Sequence, residues 1–201
     1  MSKYGHRSHN WFDAVINKLG GEDRAEMFLR DELVISAVPK FFPTFCSLKL
    51  GTGITNADGF RKALQSAGCK IGNCGNDILG KPTFTTSPVP ITLELCVASA
   101  AELGFKNGAK FSAVCSRIKE LGYDLCPNEV GPQLRLQYKD QPKGEWLAIA
   151  MEPITDSGGL LLVFRVVHDG GELWLNGSHG IPDHFWRGST RFVFVRRKVS
   201  A

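Results

Sequence analysis

The sequence has no apolar run approaching the ~18 residues that a membrane-spanning helix needs, so no membrane partner is expected. Its first residues, MSKYGHRSHNWF, contain no apolar stretch of the kind a secretory signal carries. It has no strong excess of one charge. The 24 Lys and Arg against 20 Asp and Glu leave +4, interleaved along the chain, where dedicated nucleic-acid binders usually show a clustered excess. Two small basic clusters, Lys3, His6, Arg7 and His9 near the start and Arg196, Arg197 and Lys198 near the end, read as solvated segments. Internal repeats and low-complexity tracts are also missing.

What is present suits a packed domain. Hydrophobic residues make up 43% and charged residues 22% of 201 residues, enough for a well-buried core. The six cysteines are Cys46, Cys69, Cys74, Cys96, Cys115 and Cys126. A chain this rich in aliphatic residues needs no disulfide staples, so they read as free thiols in a reducing cytoplasm.

Hydrophobic spacing divides the chain. Trp11, Phe12, Val15, Ile16 and Leu19 predict a helix, with Ser8 or Asn10 as its cap, and Gly20-Gly21 ends it. A short helix over 22–30 and a strand over Leu33–Ile35 follow. A strand over 45–50 leads through Gly51-Thr52-Gly53 to a helix over 56–67, where Thr55 and Asp58 resemble a capping box. A shorter helix covers 73–79. Residues 81–90, with three prolines and four Thr or Ser residues, read as a linker. It separates a mainly helical part, 1–80, from an α+β part, 91–201, and the two are free to pack as one unit. A strand over 91–97 and a helix over 111–121 come next. Gln133 to Tyr138 alternates polar and apolar residues without exception, which predicts a half-buried antiparallel strand. Strands over 145–151, 160–168, 173–176 and 191–197 complete the series, with Asp169-Gly170-Gly171 as a hairpin turn. The expected fold is therefore α+β: a helical N-terminal part, then a helix and an antiparallel sheet of about five strands in the C-terminal third.

Several segments resemble a group of bacterial proteins of about this size for which no activity is established. They are Leu48-Lys49-Leu50-Gly51-Thr52-Gly53, the run from Asp58 to Pro82, Glu102-Leu103-Gly104-Phe105 through Pro127, Glu129 to Tyr138, Gly144-Glu145-Trp146-Leu147, Met151 to Ser157, and Phe192 to Arg196. Cys74-Gly75 departs from the pattern, where an aromatic and a small helix former are expected. The resemblance implies a bacterial protein and carries no site residue with it.

Four groups of residues are candidate sites. Gly51-Thr52-Gly53 joins a strand to a helix, as phosphate-binding turns do, but Asn56 stands where a dinucleotide fingerprint has its third glycine, and no Gly-Lys-Ser/Thr follows. His168, Asp169, Asp183 and His184 are the candidates for acid–base catalysis, and His179 with His184, five apart, for metal ligation. Cys69 and Cys74 lack the second close pair that a zinc site requires. Arg135, Trp146, Trp174 and Trp186 are the candidates for ligand binding, because strand parity puts Trp146 and Trp174 opposite the aliphatic residues of their strands.

No cofactor is called for by these patterns. They favour a non-enzymatic binding or accessory module whose partner is a protein or a nucleic acid. The alternative is a small enzyme, a metal-dependent hydrolase included, with its site in residues 168–186.

Overall fold

The computed structural model describes residues 9–33 and 40–197. The chain divides into two compact units, Met1–Pro39 and Lys40–Ala201. The first contains helices α1 (His9–Leu19) and α2 (Glu22–Leu29). Gly20 and Gly21 join them, both at positive φ, where glycine adopts the sharp reversal without steric cost. No residue of either helix is buried. The strand expected over Leu33–Ile35 falls, after Leu33, outside the described residues, as does Ser8.

The second unit opens with β1 (Thr44–Leu50), α3 (Ala57–Ser66), β2 (Lys70–Ile71) and α4 (Asn73–Leu79). Next come β3 (Ile91–Ser99), β4 (Ala109–Lys110), α5 (Phe111–Glu120), β5 (Tyr123–Asp124) and α6 (Val130–Gln137). It continues with β6 (Trp146–Ile149), β7 (Ile154–Thr155), β8 (Leu161–Asp169), β9 (Glu172–His179), β10 (Phe185–Trp186) and β11 (Arg191–Arg196). α3 is capped by Asn56, whose side chain accepts from the Gly59 N–H at 2.8 Å, and not by Thr55.

Among the described residues, nine strands make one mixed sheet in the order β1-β3-β11-β6-β8-β9-β2, with β5 beside β11 and β7 beside β8. β11 runs parallel to β6 and β2 parallel to β9; the other pairings are antiparallel. β4 and β10 form a separate two-stranded ribbon. This corrects the expected fold of a helical N-terminal part followed by a five-stranded antiparallel sheet. β1 and β2, which precede residue 80, belong to the same sheet as β11. The reason is topological: periodicity identifies a strand but not its neighbour, and β11 inserts between β3 and β6.

The second correction concerns residues 133–138, which belong to helix α6 and its C-terminus. Their alternation does not mark a buried face and a wet face. Gln133 and Arg135 are as fully enclosed as Leu134. The Gln133 amide and both terminal nitrogens of Arg135 are hydrogen-bonded inside the protein, and the Arg135 Nε is buried without a partner, so the polar residues of this segment face no water and the premise of the strand reading is removed. Pro132 sits in the first turn of α6, where the missing N–H has no helical partner to lose.

Registration places Leu147, Phe164, Val166 and Leu175 on one face of the sheet, under α6. Gly131 lets α6 lie directly on that face: a Cβ there would sit 2.5 Å from Phe164. On the other face, α5 packs through Phe111 on Phe192 and on Trp186 of the β10–β4 ribbon. Residues 81–90 follow the surface of this unit, anchored by buried Phe84 and by hydrogen bonds to Asn128 and Glu129.

Candidate ligand-binding face

On the face that α5 occupies, residues directly opposite one another share a side of the sheet. Trp146 on β6 pairs with Val167 on β8, Val167 with Trp174 on β9, and Trp174 with Lys70 on β2. The neighbouring row runs from Phe192 through Ala148 and Arg165 to Asn176. At the β11 side these rows are sealed by Phe111 and Trp186. Toward β8 and β9 they open: Arg165, Val167, Trp174, Asn176 and Ser178 are all half-buried, and Trp146 is 36% exposed. Two tryptophans two strands apart stand roughly 10 Å from each other.

Arg165 is the unusual member. Its guanidinium lies 5.3 Å from the centre of the Trp146 ring. Among the described residues it has no hydrogen bond and no ion pair, and its Nε is buried without a partner. Burial lowers its pKa; the group that opposes this shift is the Cys74 thiol and not a carboxylate. A half-buried cation normally comes with a paired anion. On the other side of Trp146, the Nε1 of Trp186 is also buried without an acceptor among the described residues.

The aromatic row continues at its margin. Trp146 lies 6.3 Å from Trp186, Trp186 makes an edge contact with His184 at 5.2 Å, and His184 stacks on His179 at 4.8 Å. Burial, and then the neighbouring His179, lower the pKa of His184. Phe185, 58% exposed, stands beside them.

The residues singled out from sequence therefore separate. Trp146, Trp174, Trp186, His179 and His184 meet on this face or its rim, although Trp186 is buried and contributes mainly packing. Arg135 is elsewhere. It is fully buried on α6, where it donates to the side chain of Gln141 and to the Tyr138 carbonyl, and at 3.4 Å to the Val167 carbonyl. His168 lies at the far end of the β8–β9 ladder. Its Nδ1 donates to the Gln141 carbonyl, and Asp169 caps the Gly170 N–H of the turn. His179 pairs with Leu162, six residues along β8 from His168, or roughly 20 Å at the strand rise. Asp183 is exposed and paired to Lys110 at 2.8 Å. His168, Asp169, Asp183 and His184 do not form one cleft. Among the described residues no group of three or more His, Cys, Asp and Glu side chains is arranged to hold a metal ion, and His179 with His184 has no third ligand.

Gly51-Thr52-Gly53 holds a different anion. Its Gly51 N–H points at the buried carboxylate of Glu129, at 3.0 Å. A side-chain anion thus occupies the place a phosphate would take. Arg165 was missed in the sequence because its alternation fits an ordinary solvent-facing strand position. Only its register against Ala148 and Asn176, with no acid in reach, sets it apart. Compared with protein-family models, curated proteins and solved structures, the chain matches none.

Proposed function

We propose that the protein is a non-enzymatic binding module of the bacterial cytoplasm and that it binds single-stranded nucleic acid across the Trp146–Arg165–Trp174 face. The observation that carries this reading is Arg165, a guanidinium with no anion paired to it among the described residues, held against an exposed tryptophan. A phosphate supplies the missing charge, and a base supplies the stacking partner that Trp146 lacks on its open side. Trp174, a second ring roughly 10 Å away, suits a second base of an extended strand. Asn176 and Ser178 offer hydrogen-bonding groups along the same path. The six cysteines, all unbridged, fit a reducing compartment. No helix among the described residues is long and apolar enough to cross a membrane.

The test is anisotropy of a fluorescein-labelled oligothymidylate or oligouridylate of about 12 nucleotides. Binding should weaken steeply between about 50 and about 200 mM salt, because each phosphate contact releases a counterion. Trp146→Ala and Arg165→Ala should each weaken it about tenfold or more, in line with the loss of one stacked base. Binding that ignores salt, or that survives both substitutions, rules the reading out.

A further inference from the structure

The second surface lies at the β1 edge of the sheet, on the opposite flank from β9. In an antiparallel pair, the N–H and C=O groups of alternate residues point away from the partner strand. Along β1 these outward groups are met by one side of α6. The Gly51 N–H donates to Glu129, at 3.0 Å. The Lys49 N–H donates to the Gln137 side-chain oxygen at 3.1 Å, and the Lys49 carbonyl accepts from the Gln137 amide at 2.8 Å. Gln133, between them on the helix, bonds Thr52 Oγ1 at 2.7 Å and links to both neighbours. A ladder of carboxylate and carboxamides thus takes the place of a strand.

The ladder stops because α6 stops, at Gln137. Ser47, two residues before Lys49, has the same outward phase and is exposed. Among the described residues nothing bonds its N–H or its C=O. Beside it opens a cavity of about 360 Å³, lined by Phe45, Ser47, Leu48, Leu134, Tyr138 and Asp140. Phe45 and Tyr138 meet edge to face at 5.0 Å and form its end wall.

We propose that this opening receives an extended, basic peptide segment of a partner protein, added to the sheet beside Phe45–Ser47. Gln137 already shows what fits there: its carboxamide is a single peptide group seated on the outward N–H and C=O of Lys49. The continuation at Ser47 calls for a main chain. Charge selects the segment. Among the described residues, Asp140 on the cavity wall has no cationic partner, and Glu94, opposite Ser47 in register, bonds the Ser47 hydroxyl and pairs with no cation. An added strand alternates its side chains, so apolar residues meet Leu48 and Leu134 while lysine or arginine meets Glu94.

The experiment is an NMR titration of the full chain with acetyl-Val-Lys-Val-Lys-Val-amide. Saturable shifts at the amides of Phe45 and Ser47, with at least tenfold slower hydrogen exchange at Ser47, are the expected result. A peptide N-methylated at its central residues, and one with Glu in place of Lys, should each bind at least tenfold more weakly. Ser47→Pro should abolish binding without unfolding the protein, because the Ser47 backbone N–H points away from β3 in this register and the substitution removes only the hydroxyl contact to Glu94; a thermal melt checks the fold. Asp140→Lys provides a variant outside the strand and should weaken binding. The proposal is overturned by absent or non-saturable shifts, or by equal binding of the N-methylated peptide. It is equally overturned if Ser47 is already protected without peptide, whether in a dimer or in a monomer, since the edge is then filled by a second copy or by the chain itself.

Discussion

The carboxamide of Gln137 accepts from the N–H of Lys49 and donates to the carbonyl of the same residue, at 3.1 and 2.8 Å. One side chain therefore closes an edge position that no strand covers, and unpaired edges are where sheets join unwanted neighbours. Gln137→Ala should cost about 1 kcal/mol, the usual net worth of such bonds. It should also promote self-association. Urea unfolding gives the first and sedimentation the second; a variant as stable and as monomeric as the parent would remove Gln137 from this role.

Glu129 is buried and accepts from the Gly51 and Ser87 N–H groups and from Gln133, so both of its oxygens are engaged. Glu129→Gln replaces one acceptor with an NH2 that faces a donor. The expected loss is about 1–3 kcal/mol, the cost of leaving buried donors without acceptors, read as a lower urea midpoint at unchanged slope. Glu129→Asp, too short to reach both backbone groups, should not rescue it.

Arg165 invites the opposite sign. Arg165→Met keeps most of the apolar stem packed against Trp146 and removes a half-buried charge that no carboxylate among the described residues pairs with. Stability should rise, by about 1 kcal/mol, because the desolvation cost of a buried charge is relieved when an apolar group of similar size replaces it, while oligonucleotide binding falls. A drop in stability would mean that the guanidinium has an unrecognised partner.

Acid sensitivity is expected from Asp77 on α4. Its pKa is held down to about 2, first by the Ser157 backbone N–H and then by Lys81 and the Ser157 hydroxyl. A folded pKa below the unfolded one gives stability that is present above roughly pH 4, the free carboxylate value, and is lost as pH falls through about 2. Asp77→Asn should flatten this part of the stability profile and leave the slope above pH ~5 unchanged. Chemical denaturation at stepped pH would show it, and an unaltered acid limb would contradict it.

Thiol reactivity should separate the cysteines. Cys74 is exposed, whereas burial pushes Cys46 up to about 11 and Cys115 up to about 12 and raises Cys96 and Cys126 as well. Near pH ~8, a disulfide reagent should label one thiol quickly and the rest only on unfolding, since the thiolate is the reactive form. Rapid labelling of Cys115 in the folded protein would be inconsistent with its burial.

Spacing was enough to find α1, α3, α5 and the β8–β9 hairpin, because in each the apolar residues recur at the period of the element they form. It misled where both sides of an element are enclosed. In α6, Gln133 and Arg135 are buried and bonded mainly to groups inside the protein, so their alternation with Leu134 and Leu136 carried no information about water. Trp146 and Trp174 of the candidate face could be named from parity along β6 and β9. Arg165 could not, since a cation on a strand is unremarkable until its surroundings are known to lack an anion. The β1 edge was equally hidden: nothing local to Lys49 shows that a helix some 80 residues later supplies its hydrogen bonds.

β11 joins β1–β3 to the β6–β8–β9–β2 side, and it is the last strand of the sheet to leave the ribosome. Until it emerges, each portion displays a bare flank of backbone and greasy side chains to the crowded cell. Assembly of this unit must therefore await nearly the whole of its translation, and a nascent chain stalled before Arg191 would be a substrate for chaperones and not a folding intermediate that can simply pause.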